Sequence, residues 1–292
     1  MKDISIIIVS WKVKEQVRKC LASLPLAFGS LSGDVWLVDN ASGDGTVEMA
    51  RTEFPSVKVI ANADNYGFSK AVNLAWRQAD SRFVLLLNPD IITSPHCLEK
   101  AIRFLEKYPK IGVLGCKLEN TDGSIQPSVR RLPSLCDQLV VLSKFHNLFP
   151  WLIKRYAMLD FNYKQSAPVE SVMGAWFLVR RELYEKIGYL DNGYFIWFEE
   201  VDYCKRALDA GYTVWYEASV RSVHERGASF GQVKPLQKQL WLNNSMRRYF
   251  WKHKPKWQWL LICIMAIVSL LPAAVVQWFN WKNTYAVFRK AS

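Results

Sequence analysis

The apolar run 83–87, which ends at Asn88-Pro89-Asp90, constrains the fold of this chain most strongly. An apolar run of this length, with a polar segment before it and a proline after it, is typical of a strand buried on both faces. Because proline has no amide hydrogen for a sheet, the strand ends there and Asp90 lies at its carboxyl end. In open α/β sheets, ligands bind beyond the carboxyl ends of the strands. Asp90 is therefore either a ligand for a divalent cation held against a nucleotide diphosphate or a cap of the next helix.

Predicted strands and helices alternate along the chain, which indicates βαβ units, a mostly parallel sheet and an α/β fold. The strands are expected at 4–9, 35–38, 57–61, 83–87, 111–116, 172–179 and 213–216, and the helices at 14–24, 47–54, 70–79, 97–107 and 201–210. The polar and aromatic segment 120–168 is expected to be a long excursion that covers the active site. Polar residues after successive strands (Asp39, Asn65, Asp90 and 199–202) are expected to share a site at one sheet edge.

Composition indicates a folded chain in a reducing compartment. Half of the 292 residues are hydrophobic, which argues against disorder. The six cysteines include no C-x-x-C pair, so a zinc ribbon or a disulfide framework is not expected. The amino-terminal apolar run is too short for a signal peptide, and the catalytic part is therefore expected to stay in the cytosol.

The positive charge is concentrated at the carboxyl terminus. Residues 226–292 contain no Asp or Glu and eleven Lys or Arg, so they carry +11 of the net +12. A near-neutral globular part joined to a basic, tryptophan-rich tail favours an anionic membrane surface as the partner. Nucleic acid is not expected, because no binding motif accompanies the charge.

Within this tail, residues 259–279 contain no charged side chain. A helix of that length reaches about 32 Å, enough to cross the hydrocarbon core of a bilayer. Tryptophans at both ends are typical of an interfacial belt, and Pro272 permits a kink. Three arrangements stay open: a membrane span, an interfacial or re-entrant helix, and a buried core helix. In either membrane arrangement, the basic side and the catalytic domain are expected to face the cytosol.

Six motifs occur in an order that resembles family 2 glycosyltransferases. They are VDNASGDGT (38–46), NYGFSKAVN (65–73), LLLNPD (85–90), GAWFLVRRELYEKIGYLD (174–191), FEEVDYCKRALDAGY (198–212) and HERGAS (224–229). The resemblance covers about residues 3–255 and is greatest to bacterial rhamnosyltransferase-like enzymes of polysaccharide assembly. It implies a GT-A fold, a nucleotide-diphosphate sugar donor and an inverting transfer that needs Mg²⁺ or Mn²⁺.

The resemblance also implies which residues bind the donor and the metal. Asp39 would contact the nucleotide base, and Asp90 would be the metal ligand of a DxD-type motif in which Asn88 replaces the first acid. His224 matches a histidine that completes the metal site in several members, although a lone histidine is often only structural. The expected nucleotide-sugar residues are Ser10, Asp39, Asn65, Gly67, Phe68, Asn73, Asn88 and Asp90.

The sequence FEEVDY supplies three acids for the chemistry. Inverting transfer needs a base for the acceptor hydroxyl, neutralisation of the departing diphosphate, and alignment of both substrates. Glu200 occupies the place of the family's catalytic Asp and is the expected base, beside Glu199. Asp202 is expected to orient the loop, cap the helix or contact the acceptor. The alternative is a solvated acidic first turn that the helix dipole favours, but the surrounding aromatic residues indicate a buried carboxylate.

Acceptor contacts are expected from the second half of the chain. Arg130 and Arg131 would pair with phosphates or would be surface charge. The full expected acceptor set is Gly174, Ala175, Trp176, Arg130, Arg131 and Trp197.

Together these features predict a GT-A catalytic domain over 1–232, with a nucleotide-sugar half (1–116) and an acceptor and catalytic half (117–232), followed by a basic helical tail (233–292). The expected enzyme is a metal-dependent, inverting glycosyltransferase at the cytoplasmic face of the bacterial inner membrane. It would move a sugar, first of all rhamnose from dTDP-rhamnose, to a lipid-linked glycan of the cell envelope, such as O-antigen. A nucleotidylyltransferase of similar fold and an inactive membrane-tethered scaffold are the alternatives.

Overall fold

The computed structural model describes residues 1–225, 231–275 and 277. A central sheet carries helices on both faces. The strands are β1 (Lys2–Ser10), β2 (Gly33–Asp39), β3 (Lys58–Ala61), β4 (Ser81–Leu87), β5 (Ile91–Thr93), β6 (Ile111–Glu119), β7 (Ile125–Gln126), β8 (Val129–Arg130), β9 (Ala167–Val169), β10 (Ser171–Val172), β11 (Trp176–Arg180) and β12 (Thr213–His224). The α-helices are α1 (Lys14–Phe28), α2 (Thr46–Glu53), α3 (Phe68–Trp76), α4 (Cys97–Lys107), α5 (Leu135–Leu142), α6 (Arg181–Ile187), α7 (Glu199–Asp209), α8 (Pro235–His253) and α9 (Lys256–Val268).

The strand order of the main sheet is β3-β2-β1-β4-β11-β6-β12-β5. Strands β3, β2, β1 and β4 are parallel neighbours, and β12 is parallel to β6. The predicted mostly parallel α/β sheet is therefore confirmed. One inner strand departs from it, since β11 runs antiparallel between β4 and β6. β11 follows the long excursion rather than a single crossover helix, so the crossover rule does not set its direction.

Strand β12 is longer than the sequence predicted, and its length places a histidine at the site. A register shift between Glu217 and Arg221 bends the strand, which then pairs with the short strand β5. His224 lies opposite Ile91 in this pairing, and the amide of Glu225 donates to the carbonyl of Asp90 at 2.9 Å. The bulge thus brings residue 224 next to the end of β4.

Two apolar cores fill the layers on either side of the sheet. Helices α1, α2 and α4 cover one face, and α3, α6 and α7 cover the other. Alternation along β1 shows this division, because Ile4, Ile6 and Ile8 enter the first core while Ile7 enters the second. The buried apolar run of β4 is accordingly covered on both faces, as its sequence predicts.

A third apolar cluster joins the carboxyl-terminal helices to the catalytic part. Its buried members are Leu142, Tyr194, Phe198, Val201, Met246, Tyr249, Phe250 and Ile262. Helix α9 belongs to the segment Lys256–Val275, which is long and apolar enough to cross a membrane by length and composition. The end of the predicted segment 259–279 lies outside the described residues.

Candidate active site

A cavity of about 510 Å³ opens beyond the carboxyl ends of β1 and β4. This is the edge at which polar residues are expected to meet. The predicted residues that line the cavity are Ser10, Asn65, Gly67, Phe68, Asn88, Asp90, Arg130, Gly174, Ala175, Trp197, Glu199, Glu200 and His224. The predicted residues that are not among its lining are Asp39, Asn73, Arg131, Trp176 and Asp202.

Asp39 lies behind the cavity wall and is almost fully buried. Its Oδ1 accepts a hydrogen bond from Ser10 Oγ at 2.9 Å, and its Oδ2 accepts one from the amide of Ser42 at 2.9 Å. The Ser42 hydroxyl also donates to Oδ1. Because both carboxylate oxygens already have partners within the protein, Asp39 holds Ser10 and the loop after β2 in place.

Gly67 allows the start of helix α3 to approach the loop before helix α7. Its φ of +77° lies in the left-handed region, and a Cβ there would collide with the carbonyl oxygen of Phe195. The next amide, of Phe68, donates to that carbonyl at 2.6 Å. Only glycine allows this approach. Asn73 strengthens the same junction, because its Nδ2 donates to the carbonyl of Leu190 at 2.7 Å.

Asp90 and His224 form a pair with the chemistry of a cation site. His224 Nε2 lies 3.2 Å from Asp90 Oδ1, which is buried and has no hydrogen-bond partner among the described residues. His224 Nδ1 lies 2.6 Å from Gln126 Oε1. With the proton on Nδ1 donated to this oxygen, Nε2 carries the lone pair that a metal ligand needs.

Two side chains are too few ligands for a metal site formed by the protein alone. Within residues 1–225, 231–275 and 277, no group of three or more His, Cys, Asp and Glu side chains is arranged to hold a metal ion. Mg²⁺, however, is commonly bound by one or two carboxylates together with substrate phosphates and water. The residues present therefore fit a cation shared with a diphosphate, and not a closed structural metal centre.

Glu199 and Glu200 begin helix α7, after two residues with unusual backbone geometry. Trp197 and Phe198 have φ values of +64° and +68°, which bulky residues rarely adopt. This turn directs the first residues of α7 to the cavity wall, where a Cβ on Gly174 would contact Glu200 at an ordinary 3.5 Å. Such strain persists where the surrounding structure holds it and is concentrated at functional sites.

Both glutamates have raised pKa values. Burial raises the pKa of Glu199 well above its ordinary value, and the neighbouring charge of Glu200 adds to the effect. Burial also raises the pKa of Glu200, which backbone hydrogen bonds and the charge of Arg130 partly offset. One oxygen of each carboxyl group is buried without a hydrogen-bond partner among the described residues. The first turn of α7 is therefore not the solvated acidic turn of the alternative interpretation.

Asp202 points away from the cavity into a cluster of basic side chains. Its Oδ1 lies 2.7 Å from His253 Nε2 and 2.5 Å from Lys252 Nζ, and its Oδ2 lies 2.9 Å from Arg206 Nε. Burial alone would raise the pKa of Asp202, but these partners outweigh it and the pKa lies below its ordinary value. In this geometry Asp202 anchors α7 to α8.

The two arginines of the acceptor set point to different sides of one wall. Arg130 lines the active-site cavity, and its guanidinium donates to the carbonyl of Val129 at 2.7 Å. Arg131 lines a second cavity of about 490 Å³ and lies 3.9 Å from Glu170. Trp176 is buried within β11.

Several lining residues were missed from the sequence. Asn40 donates from Nδ2 to the carbonyl of Gly67 at 3.1 Å, and its place beside Asp39 could have indicated it. Phe195 stacks on Trp241 with ring centroids 4.7 Å apart. Trp241 and its neighbour Leu242 reach the cavity from α8. No local signal marks them, since they belong to the segment that composition separates from the catalytic part.

Comparison with known proteins identifies the family. The profile described as "Glycosyl transferase family 2" matches residues 5–188, more than half of the chain. The chain belongs to this family.

Two curated relatives of this glycosyltransferase are rhamnosyltransferases. The N-acetylglucosaminyl-diphospho-decaprenol L-rhamnosyltransferase of Mycobacterium tuberculosis is 29% identical over 241 residues, which cover 78% of this chain and 77% of the relative. Rhamnosyltransferase WbbL of Escherichia coli K12 is 28% identical over 176 residues, which cover 54% of this chain and 61% of the relative. The predicted likeness to rhamnosyltransferases is therefore confirmed.

Solved structures confirm the GT-A-like fold. The mannosyltransferase PcManGT from Pyrobaculum calidifontis, in complex with GDP-Man and Mn²⁺, superposes with a TM-score of 0.59 at 15% identity, over 98% of this chain and 80% of that chain. TarS of S. aureus superposes with a TM-score of 0.56 at 17% identity, over 99% of this chain and 92% of that chain. At these identities the likeness concerns the fold alone.

Proposed function

We propose that this glycosyltransferase moves L-rhamnose from dTDP-rhamnose to a lipid-linked glycan, with inversion at the anomeric carbon, during bacterial surface polysaccharide synthesis. The observation that carries the proposal is one cavity that contains both the Asp90–His224 pair and the Glu199–Glu200 pair. A single displacement needs a base for the attacking hydroxyl and charge neutralisation for the leaving diphosphate. The two pairs provide side chains for these two tasks.

Asp90 and His224 are the residues that would hold a divalent cation. A carboxylate and an imidazole whose other nitrogen is hydrogen-bonded fit this ligand set. A bound Mg²⁺ or Mn²⁺ would act as a Lewis acid for the donor diphosphate. Asn88 lies two residues before Asp90 on the same wall, and Ser10 and Asn65 line the donor side with it.

Glu200 is the proposed general base. Its raised pKa makes the carboxylate a stronger base than an exposed glutamate, so it accepts the proton of the acceptor hydroxyl more readily. Arg130 stabilises the ionised form. Ionisation of Glu200 raises the pKa of Glu199, because neighbouring buried carboxyl groups do not ionise independently.

The relatives support the proposed substrates. The name of the mycobacterial relative specifies the transfer of L-rhamnose. It also specifies an acceptor in which a sugar is carried on a polyprenyl diphosphate. A catalytic domain joined to an apolar helical segment fits an acceptor of that kind at the cytoplasmic face of the inner membrane. The family match argues against the nucleotidylyltransferase alternative, since that activity belongs to other families of similar architecture.

A transfer assay with the full chain tests the proposal. The donors would be dTDP-rhamnose, UDP-galactose, UDP-N-acetylglucosamine and GDP-mannose, and the acceptor a short-chain prenyl diphosphate that carries N-acetylglucosamine. We expect product with dTDP-rhamnose and Mg²⁺ or Mn²⁺, and none after the metal is chelated. Transfer from another donor would replace rhamnose in the proposal, and metal-independent transfer would contradict the role of Asp90 and His224.

Substitutions separate an enzyme from a scaffold. Glu200→Gln keeps the shape of the side chain but removes the base, so the rate should fall by roughly 10²–10⁴-fold. Glu48→Gln, on the exposed surface of α2, is the matched control and should keep full activity. Full activity of Glu200→Gln would contradict the assignment of the base. It would also favour the alternative of an inactive membrane-tethered scaffold.

A further inference from the structure

The segment Lys256–Val275 presents a continuous apolar face to solvent. Residues recur on it at intervals of three and four, so they share one side of the helix. Its exposed large residues are Trp257, Leu260, Leu261, Ile264, Ile267, Val268, Leu271 and Val275. The opposite side, with Ile262, Ala266 and Ser269, is buried against the rest of the protein. An exposed apolar face of this length marks a surface that binds a partner.

A second exposed apolar strip follows α5. It consists of the two 3₁₀-helices, Phe145–Asn147 and Pro150–Ile153, and the residues between them. Leu148 is 71% exposed and Trp151 is 64% exposed. Phe145, Phe149 and Leu152 are exposed as well. This strip lies in the excursion 120–168, whose sequence predicts only a cover for the active site.

The two strips adjoin. Lys144, immediately before the second strip, donates from Nζ to Gln239 Oε1 on α8 at 2.6 Å. Gln239 Nε2 in turn donates to Ser269 Oγ, in the middle of the apolar segment, at 3.1 Å. Leu139 and Leu142 of α5 belong to the same apolar cluster as Ile262. The two strips therefore lie on neighbouring elements, and we name them together the apolar platform.

Basic residues lie next to both strips of the apolar platform. Arg131, Lys154 and Arg155 line the second cavity beside Trp151. Lys154 has a neighbouring acid, Asp160 at 3.0 Å, but both side chains are more than half exposed and such pairs are weak. Arg247, Lys254 and Lys256 precede or begin the apolar segment, in a stretch of sequence without acidic residues. Basic residues beside an apolar surface complement an anionic lipid leaflet.

We propose that the apolar platform lies on an anionic lipid bilayer, with the segment Lys256–Val275 parallel to the membrane plane. The proposal extends the proposed function, because it places the lipid-linked acceptor at this side of the enzyme. Contacts of α8 argue against a span. Asn243 Nδ2 donates to the carbonyl of Ala266 at 2.8 Å, so α8 runs beside the middle of the apolar segment. A span would carry α8 into the hydrocarbon together with Lys238 and Arg247, and charged side chains there are strongly disfavoured.

Depth measurements on the full chain test this arrangement. The protein would be bound to vesicles of phosphatidylcholine and phosphatidylglycerol, without donor, acceptor or metal. A fluorophore would be attached to single cysteines, in a background that lacks the accessible Cys136 and Cys263, and quenched by lipids spin-labelled at several depths. The labelled positions are Leu148→Cys, Leu260→Cys, Ile264→Cys, Ile267→Cys and Leu271→Cys.

We expect all five labels at one shallow depth. Labels at 260, 264, 267 and 271 that become steadily deeper and then shallower would show a span and overturn the proposal. A label at 148 that stays in water would overturn the contribution of the second strip. Equal binding to vesicles of phosphatidylcholine alone would overturn the requirement for anionic lipid.

Paired substitutions test the two strips separately. Leu148→Ser with Trp151→Ser, and Ile264→Ser with Ile267→Ser, should each lower vesicle binding by about tenfold or more, because each pair removes apolar area from the interface. Leu26→Ser is the matched control, since Leu26 is 67% exposed on α1, outside the platform. Unchanged vesicle binding in either pair would contradict the proposal.

Two further measurements separate membrane binding from dimerisation and from catalysis. If the paired substitutions dissociate a dimer in lipid-free sedimentation and leave vesicle binding intact, a second copy of the chain covers the platform and the proposal is wrong. Transfer to a water-soluble acceptor should be the same in the paired variants and the wild type. Vesicle binding without any transferase activity would refute the proposed function and leave this inference standing.

Discussion

Glu199 and Glu200 show how a catalytic requirement opposes stability at single residues. Both carboxyl groups are largely withdrawn from water, and each has an oxygen without a hydrogen-bond partner among the described residues. Ionising them inside the fold is unfavourable, which is the same fact as their raised pKa values. A base stronger than ordinary glutamate is obtained at the expense of folding free energy.

This opposition predicts that Glu199→Gln stabilises the protein. Because the folded-state pKa of Glu199 is raised, its contribution to stability is greatest below the ordinary glutamate pKa and is lost as the pH rises through the folded-state pKa. The variant has no proton to lose. We expect its free energy of unfolding to exceed that of the wild type by about 1 kcal/mol at pH 8 and to match it near pH 4. Urea unfolding measures the difference, with Glu48→Gln as the control, and a variant less stable at pH 8 would contradict the prediction.

The pH dependence of transfer should report the base. Glu200 must be ionised to accept a proton, and burial raises its pKa, so kcat/KM should fall on the acid side at a pH above the ordinary glutamate range. Arg130 lowers that pKa in part, and Arg130→Gln should therefore move the acid limb to higher pH. A pH–rate profile measured with saturating metal checks both statements. If Arg130→Gln leaves the acid limb at the same pH, Arg130 does not influence the pKa of the base.

Elements differ in how far the sequence predicts them. Strands β1 and β4 carry long apolar runs, and helix α4 carries regular spacing, so local pattern is enough for them. The direction of β11 and the full length of β12 depend on pairing with distant strands, which no local pattern encodes. His224 illustrates the consequence, because family resemblance and not strand prediction indicated its place in the site.

The contact between α7 and α8 predicts an acid-sensitive anchor at Asp202. The lowered pKa means that the ion cluster contributes stability above the ordinary aspartate pKa and loses it as the pH falls through the folded-state pKa. Asp202→Asn removes the carboxylate that contacts Arg206, Lys252 and His253 and should cost about 3 kcal/mol at pH 7. The loss should be smaller at pH 3, as unfolding at the two pH values would show. Asp209→Asn, an exposed acid of the same helix, is the control, and equal effects of both substitutions would contradict the anchor.

At the scale of the whole molecule, composition and contact divide the chain differently. The change to a wholly basic segment predicts a domain boundary at 232, and that division stays a prediction. Contacts nevertheless cross it, because Ser245 Oγ donates to the carbonyl of Ile196 at 2.8 Å and Trp241 stacks on Phe195. Charge can be read from each segment of the sequence separately. These contacts cannot, because they join residues far apart in sequence. The donor side of the cavity could therefore be predicted from motifs, and the wall formed by α8 could not.

These contacts predict that α8 holds the catalytic loop in its working position. Trp241→Ala removes the ring that stacks on Phe195, whose carbonyl binds the amide of Phe68. We expect faster amide hydrogen exchange across 194–201 and at least a tenfold fall in kcat/KM, because small displacements of catalytic groups are costly. Trp251→Ala is the matched control, since that tryptophan lies on the same helix but is 52% exposed and outside the cavity lining. A loss of activity without faster exchange would mean that Trp241 acts only through substrate contact, whereas a change in both shows that the tail is part of the catalytic structure.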